Sequence, residues 1–412
     1  MTSPSLQKSL SLQKAQNTNS SSCVDFQSYT PKSLSQSPLW QRYREYSIKK
    51  WKQPNDGDLL SSKERILRHL VDFSQYLAEA KKEFYSKLSD HKKMDEYRMD
   101  DFHFIRTLGK GTFGRVMLAK HFYRSLESEY AIKLLDKAKI VKYKQILHVR
   151  NEIEILSAAD FPFITEMLFC FMSGVYIGIG MPYFTGGDMF NYLRKKGHFE
   201  EQETQFYAAQ IALVFEYLHF MGIIYRDLKP ENIMFSEDGY LKLVDFGFAK
   251  KIDDGRTYTL CGTPDYLAPE VLKNKGYGKA IDWWSFGVLV YEMADGQPPF
   301  YDLRILKTYD NILRGRIQYP SHFSKSLRNF LEHLIQIDTT KRYGFLKNGI
   351  VDIKCHEWFQ HFKWNELFNK TLKPFHRPNR MPDDYMIATE NSESGPIRST
   401  ELSEYVDEFK DF

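Results

Sequence analysis

The chain reads as an α+β protein built from two lobes, a small β-rich one followed by a larger helical one. Three observations predict this. Residues 100 to about 182 hold short aliphatic and aromatic runs broken by turn residues, the pattern of strands. After Gly187 the apolar residues recur at helical spacing. Between the two stretches stand Pro182 and the pair Gly186-Gly187, which mark a hinge. A cleft between two such lobes is a common ligand site.

The elements follow in order. Residues 1–60 are rich in Ser, Gln, Pro and Lys, bury too little apolar surface to order themselves, and are expected to form a disordered arm. Residues 61–95 carry Ile66, Leu70, Phe73, Leu77, Phe84 and Leu88 mostly three or four apart, which predicts an amphipathic helix whose stripe docks on the protein's own core. The runs FHFIRTLGKG, GRVMLAKHF and EYAIKLLD predict three strands, and a helix is expected from Gln145 to Ala159. MLFCFM and VYIGIGM predict a hairpin across Ser173-Gly174. EQETQFYAAQIALVFEYLHFMG has helical periodicity, and AIDWWSFGVLVYEM is apolar nearly all round, so it should be a buried helix.

Composition excludes several functions. The 57 basic and 53 acidic residues are mixed along the chain, and a net charge of +4 gives no support for nucleic-acid or membrane binding. The longest apolar run, Leu168 to Met181, is too short to span a bilayer. No signal peptide is visible, and Thr2 excludes myristoylation. Cys23, Cys170, Cys261 and Cys355 are scattered without metal-site spacing, which fits a reducing compartment; the expected location is the cytoplasm, and also the nucleus.

Several motifs carry chemistry. LGKGTFGRVMLAK places Gly109, Gly111 and Gly114 in one turn, where the missing Cβ atoms let backbone N–H groups approach a phosphate. A tight turn alone explains such glycines equally well, and the strand-like run that follows disfavours a dinucleotide-binding fold. Lys133 sits in an aliphatic strand, and Glu152 in the next helix is a candidate ion-pair partner. YRDLKPEN packs Asp227, Lys229 and Asn232 into six residues. LKLVDFGFAK sets Asp245 at a strand end before a glycine, a good oxygen ligand for a hard divalent cation, with Asn232 as a second. CGTPDYLAPE closes the segment with Glu270.

Singly each motif has a structural explanation; together and in this order they match the protein-kinase set. The resemblance covers roughly residues 70–412 and is closest to the AGC group, within it to catalytic subunits of cyclic-AMP-dependent protein kinases. DFGFAK, TLCGTPDYLAPE, KAIDWWSFGVLVYEMADGQPPF, TKRYGFLKNGIVDIKCHEWF and the final EFKDF carry it. It implies a bilobal kinase fold with a kinase domain over residues 102–359 and a tail over residues 360–412 that wraps the small lobe through Phe409 and Phe412.

The same resemblance implies roles. ATP and Mg²⁺ are the expected cofactors. Lys133 would hold the α- and β-phosphates, Glu152 would hold Lys133, and the three glycines would cover the phosphates. Leu108, Val116, Ala131, Met181, Tyr183 and Met234 would complete the nucleotide site, and Asp245 and Asn232 would bind the metal. Asp227 would orient the substrate hydroxyl, Lys229 would neutralise the moving phosphoryl group, and Thr263 would brace both. Thr259 would be the activating phosphosite, met by His148, Arg226 and Lys250, with a tail phosphosite at Thr400. Asp188, Glu231 and Glu292 would bind arginines upstream of the target, and Leu260, Pro264 and Leu267 the apolar residue after it, giving R-R-x-S/T-Φ substrates.

The chain departs from the pattern in places. Asp188 and Asp265 stand for Glu, Tyr258 and Leu88 for Trp, Pro182 for an acid and Pro382 for an adenine-contacting Phe; the tail between Tyr385 and Ile397 is longer than usual. Tyr258, Lys275 and Tyr309 mark the surface where an inhibitory, cyclic-nucleotide-binding regulatory subunit is expected. An AGC kinase without cyclic-nucleotide control and a pseudokinase scaffold are the alternatives.

Overall fold

The computed structural model describes residues 62–89, 97–122, 129–252, 255–378, 405 and 407–409. The arm before them, Pro382, the stretch from Tyr385 to Ile397, Thr400 and Phe412 lie outside the described residues. Helix α1 (Ser62–Ser89) buries Phe73, Tyr76, Leu77, Ala80 and Phe84 against Phe161, Tyr217 and Phe368, so this part of its apolar stripe packs on the core of the helical lobe, while the side chains of Ile66 and Leu70 lie outside the described residues. Its inner end is fixed by a buried polar chain. The ammonium of Lys354 lies 3.0 Å from His69 Nε2 and 2.5 Å from Glu216, with the Phe73 ring centroid 4.5 Å away. An ammonium only donates, so His69 Nε2 accepts, and its Nδ1 must donate to Asn365 at 2.6 Å. Burial first, then Lys354, lowers the pKa of His69 and keeps the ring neutral for that role.

The small lobe is a five-stranded antiparallel sheet of β1 (Phe102–Lys110), β2 (Gly114–His121), β3 (Glu129–Asp136), β4 (Phe169–Met172) and β5 (Tyr176–Pro182), ordered β1-β2-β3-β5-β4. The register sorts its side chains. Val116 opposes Lys133, and Ala131 opposes both Leu118 and Met181, so these residues share one face. The alternate residues Met117, Ala119, Tyr130, Ile132 and Leu134 pack with Phe102, Phe169 and Phe171 on the other. The chain runs from β3 through α2 (Lys137–Lys142) into α3 (Ile146–Ala158). The sequence predicted α3 alone. The short α2 escaped because KAKIVK is too brief for a period; Asp136 caps it, accepting from the Lys139 amide at 3.1 Å.

The helical lobe contains α4 (Met189–Lys196), α5 (Glu201–Phe220), α6 (Pro269–Leu272), α7 (Ala280–Asp295), α8 (Ile305–Arg314), α9 (Lys325–Leu334), α10 (Val351–Lys354) and α11 (Trp364–Phe368). Two-stranded ribbons pair β6 (Ile223–Ile224) with β9 (Lys250–Lys251) and β7 (Ile233–Phe235) with β8 (Leu241–Leu243). Every residue of α7 from Ala280 to Ala294 is buried, as its apolar sequence predicts. Arg342, itself fully buried, ties the end of the activation segment to this core by a two-pronged pair with Glu270 at 2.6 and 3.0 Å and a bond to the Ala280 carbonyl at 2.8 Å. The tail returns to the small lobe. Phe409 is buried among Leu135, Ile140, Val149, Ile177 and Ile179, with the Lys137 ammonium 5.7 Å from its ring centroid. Among the described residues no helix is long and apolar enough to cross a membrane.

Candidate active site

The glycine turn closes by a backbone bond from Gly111 N to Gly114 O at 2.9 Å. Gly114 is required by packing, since a Cβ there would sit 1.9 Å from the Leu134 carbonyl oxygen. Gly109 and Gly111 differ. A Cβ on Gly109 would meet nothing within 4 Å, and one on Gly111 only the Gly114 oxygen at 3.9 Å. Neither packing nor a positive φ asks for glycine at these two positions, so open space is kept over the exposed turn. A phosphate held by backbone amides would use that space.

Beneath the turn, Val116, Ala131, Lys133 and Met181 lie on the shared sheet face. Leu108 sits at a register shift in β1 between Thr107 and Gly109. Tyr183 is tied to β1 by Arg106, which donates to its hydroxyl at 3.1 Å. Met234, on β7, pairs through its backbone with Asp188. The predicted nucleotide site is thus bounded by both lobes.

Lys133 donates to Glu152 at 2.6 Å and to Asp245 at 2.9 Å. Burial alone would lower the lysine's pKa; the two carboxylates overcome it and hold the ammonium charged. Burial raises the pKa of Glu152 against the pull of Lys133, while Lys133 lowers that of Asp245 against burial. Asp245 also accepts from the Gly247 amide at 3.2 Å, and its backbone is left-handed at φ 55°. Half of its side chain stays exposed, so the carboxylate is charged, aimed and reachable.

Asp227 is held on three sides. Oδ2 accepts from Lys229 at 2.9 Å and from the Asn232 amide at 2.9 Å, and Oδ1 accepts from the Thr263 hydroxyl at 3.0 Å. Asn232 also donates to the Asp227 carbonyl at 2.8 Å, so only its amide oxygen remains to offer a cation. Sequence reasoning assigned no role to the residue beneath. Buried Asp282 of α7 accepts from the Tyr225 and Arg226 amides, both at 3.0 Å, and lies 2.8 Å from His219 Nε2. It fixes Arg226 at a left-handed φ of 72°, a conformation costing about 1–3 kcal/mol. An acid in the first turn of an otherwise apolar helix was the available signal.

His148, Arg226 and Lys250 come together: Arg226 and Lys250 both lower the pKa of His148, after burial. Thr259 lies beside them. Its carbonyl accepts from the Tyr277 hydroxyl, which Arg226 also meets at 3.3 Å, and Lys250 bonds Thr257 at 3.1 Å.

The substrate residues are placed less simply. Glu231 is exposed. Glu292 is buried, paired with Arg194 at 3.0 Å and bonded by the Tyr266 hydroxyl. Burial, helped by Glu231 and Asp265, pushes its pKa up to about 7. Asp188 turns back on its own helix as the cap of α4, taking the Asn191 amide at 2.7 Å and side chain at 2.8 Å. Leu260 is 68% exposed, Pro264 half-buried and Leu267 buried. Tyr258 lies over Gly276, next to exposed Lys275, and Tyr309 of α8 packs against the core.

The chain's residues 102–359 match the family model described as protein kinase domain. The chain belongs to that family. It is 44% identical to the cAMP-dependent protein kinase catalytic subunit of Schizosaccharomyces pombe over 79% of this chain and 64% of the relative. It is 45% identical to the cAMP-dependent protein kinase catalytic subunit 3 of Drosophila melanogaster, over 70% of this chain and 49% of the relative. With the cAMP-dependent protein kinase type 3 of Saccharomyces cerevisiae it shares 45% identity over 69% of this chain and 70% of the relative. The first two matches therefore span less than two thirds of the relatives' own length.

Proposed function

We propose that the chain is a serine/threonine protein kinase of the cyclic-AMP-dependent type. It moves the γ-phosphoryl group of MgATP to Ser or Thr in R-R-x-S/T-Φ segments, restrained by a cyclic-nucleotide-binding regulatory subunit. The observation that carries the reading is the three-sided grip of Lys229, Asn232 and Thr263 on Asp227, with Lys229 also near enough to help lower the pKa of Asp245, the partner of Lys133.

The residues fit MgATP. Gly109 and Gly111 keep a cradle that a phosphate would fill, and Lys133 is held charged. Asp245 and the Asn232 oxygen would hold Mg²⁺, which needs one or two protein ligands besides phosphates and water and supplies charge neutralisation when bound. Asp227 orients the incoming hydroxyl and takes its proton. Lys229 offsets charge on the transferring group, and Thr263 keeps Asp227 from rotating. Phosphate on Thr259 would enter a cluster of three bases and lock the segment that carries Thr263 and Pro264. Glu231 and Glu292 select arginines, and Leu260 meets the apolar residue that follows the target.

Residence in the cytoplasm and nucleus is part of the proposal and rests on the sequence, whose four scattered cysteines lack metal-site spacing. The test is the purified chain with MgATP and an arginine-directed peptide, with and without a regulatory subunit. Phosphorylation silenced by that subunit and restored by cyclic AMP is expected. Nucleotide binding without transfer would leave a scaffold, and transfer indifferent to the subunit would remove cyclic-nucleotide control.

A further inference from the structure

We infer that His69 is an acid-sensitive latch, which holds α1 on the helical lobe at neutral pH and frees it as the pH falls. The inference goes beyond the kinase reading and does not depend on it. The helix is tied down differently along its length. Further on, the Tyr76 hydroxyl donates to the Asp160 carbonyl at 3.2 Å, the Tyr85 hydroxyl donates to the Met221 carbonyl at 3.1 Å, and Lys87 pairs with Asp160 at 3.4 Å. Nearer its start, the polar tie is His69, which is buried and stacked with the Phe73 and Trp364 rings at 5.2 and 6.1 Å.

The latch works through hydrogen-bond polarity. Nε2 faces the Lys354 ammonium at 3.0 Å, and Nδ1 faces Asn365 Oδ1 at 2.6 Å. A neutral ring satisfies both, accepting at one nitrogen and donating at the other, whereas an imidazolium donates at both. Its second N–H would point at an ammonium that has only donors to offer, in a site where both side chains are closed off from water. Glu216 of α5, 2.5 Å from that ammonium, offsets one positive charge and not two. Among the described residues, the other ionisable groups do not supply a second anion. Cys355 follows Lys354 at the end of α10 and is exposed. On α11, Glu366 pairs with Lys363 at 2.9 Å on the surface, leaving neutral Asn365 to face the ring. Asp72, the buried acid of α1, is not among the groups that shift His69.

The sign follows. Burial and Lys354 hold the docked ring well below its ordinary pKa of 6.5, so a ring released with α1 takes up a proton first. Docking is at full strength above about 6.5 and weakens as the pH falls below it, by up to about tenfold in the docking equilibrium per pH unit, until the docked ring itself titrates. The effect reaches toward the active site. Helix α1 lies against α3 and shares a core with its Ile155, Leu156 and Ala158, on the helix that carries Glu152.

The test follows backbone hydrogen exchange of the full chain by mass spectrometry at about pH 7.5, 6.5 and 5.5, with rates corrected for the intrinsic effect of pH. Peptides of α1 around His69 should lose roughly tenfold in protection from the highest to the lowest pH, while those of buried α7 keep theirs. Two variants run in parallel. His69→Gln keeps an acceptor for Lys354 and a donor for Asn365 but cannot titrate, and it should abolish the pH dependence. Asn365→Asp sets a carboxylate against Nδ1, lets the ring take its second proton in place, and should move the loss to lower pH. The Asp variant keeps both His69 and Lys354, so it decides the matter if the Gln variant does not fold. Equal protection of α1 across this range in the parent chain, or a loss in Asn365→Asp at the parent's pH, overturns the inference. The readout needs no turnover, so the peptide assay that decides the kinase reading has no bearing on it.

Discussion

Asp282 Oδ1 accepts the backbone N–H of Arg226 at 3.0 Å, joining the most buried helix to the residue just before Asp227. The bond holds a left-handed backbone in place, and the same carboxylate takes the Tyr225 amide. In an Asn variant one oxygen must replace two, leaving a buried amide unpaired at a cost of about 1–3 kcal/mol. Asp282→Asn is expected to lower both the melting temperature and kcat, with a smaller change in ATP affinity. A drop in melting temperature with normal kcat would mean that Asp282 supports the fold alone.

Asp227→Ala removes the group that orients the acceptor. Turnover should fall by at least ~10², while ATP still binds through Lys133 and the glycine turn. Calorimetry with ATP and a peptide assay separate the two effects. Near-normal turnover would refute the role.

Glu292 gives a pH signature. Its folded pKa, raised by burial to about 7, lies above that of an unfolded glutamate, so the folded chain holds the proton longer. The stability this gives is present at acid pH and lost as pH rises to about 7. Arginine binding has the opposite sign, because a guanidinium favours the carboxylate. The KM for an arginine-directed peptide should therefore fall as pH rises from about 6 to 8, and Glu292→Gln should flatten that profile. A Gln variant with the parent's slope would assign the titration elsewhere.

The cluster around Thr259 predicts a shift visible without turnover. Burial, Arg226 and Lys250 lower the pKa of His148 in the unmodified chain. A phosphate on Thr259 should raise it, which NMR titration of the ring can follow. Thr259→Ala should weaken peptide phosphorylation and abolish the shift. A ring that titrates identically with and without the phosphate would separate His148 from the switch.

Much of the site was legible because its residues lie in short motifs whose spacing is local. Asp227, Lys229 and Asn232 touch one another across six residues, and Lys133 meets Glu152 as the strand-helix order implies. What escaped depends on distant partners or on competition. Asp282 acts through amides 56 and 57 residues away, and Lys354 meets His69 across 285. The family resemblance made Asp188 a substrate acid, yet an asparagine three residues on gives it a capping task on its own helix. For Glu292 the missing information was burial, which turns an expected open carboxylate into one that shares a proton at neutral pH.

The seat of Phe409 among Val149, Ile140 and Leu135 makes the tail a tethered ligand of the helix that carries Glu152. A tether of this kind presents its ring at an effective concentration on the order of millimolar. Severing the peptide anywhere between Pro378 and Phe409 would turn that occupancy into a bimolecular equilibrium. A clipped enzyme would then run down on dilution and revive with excess tail peptide.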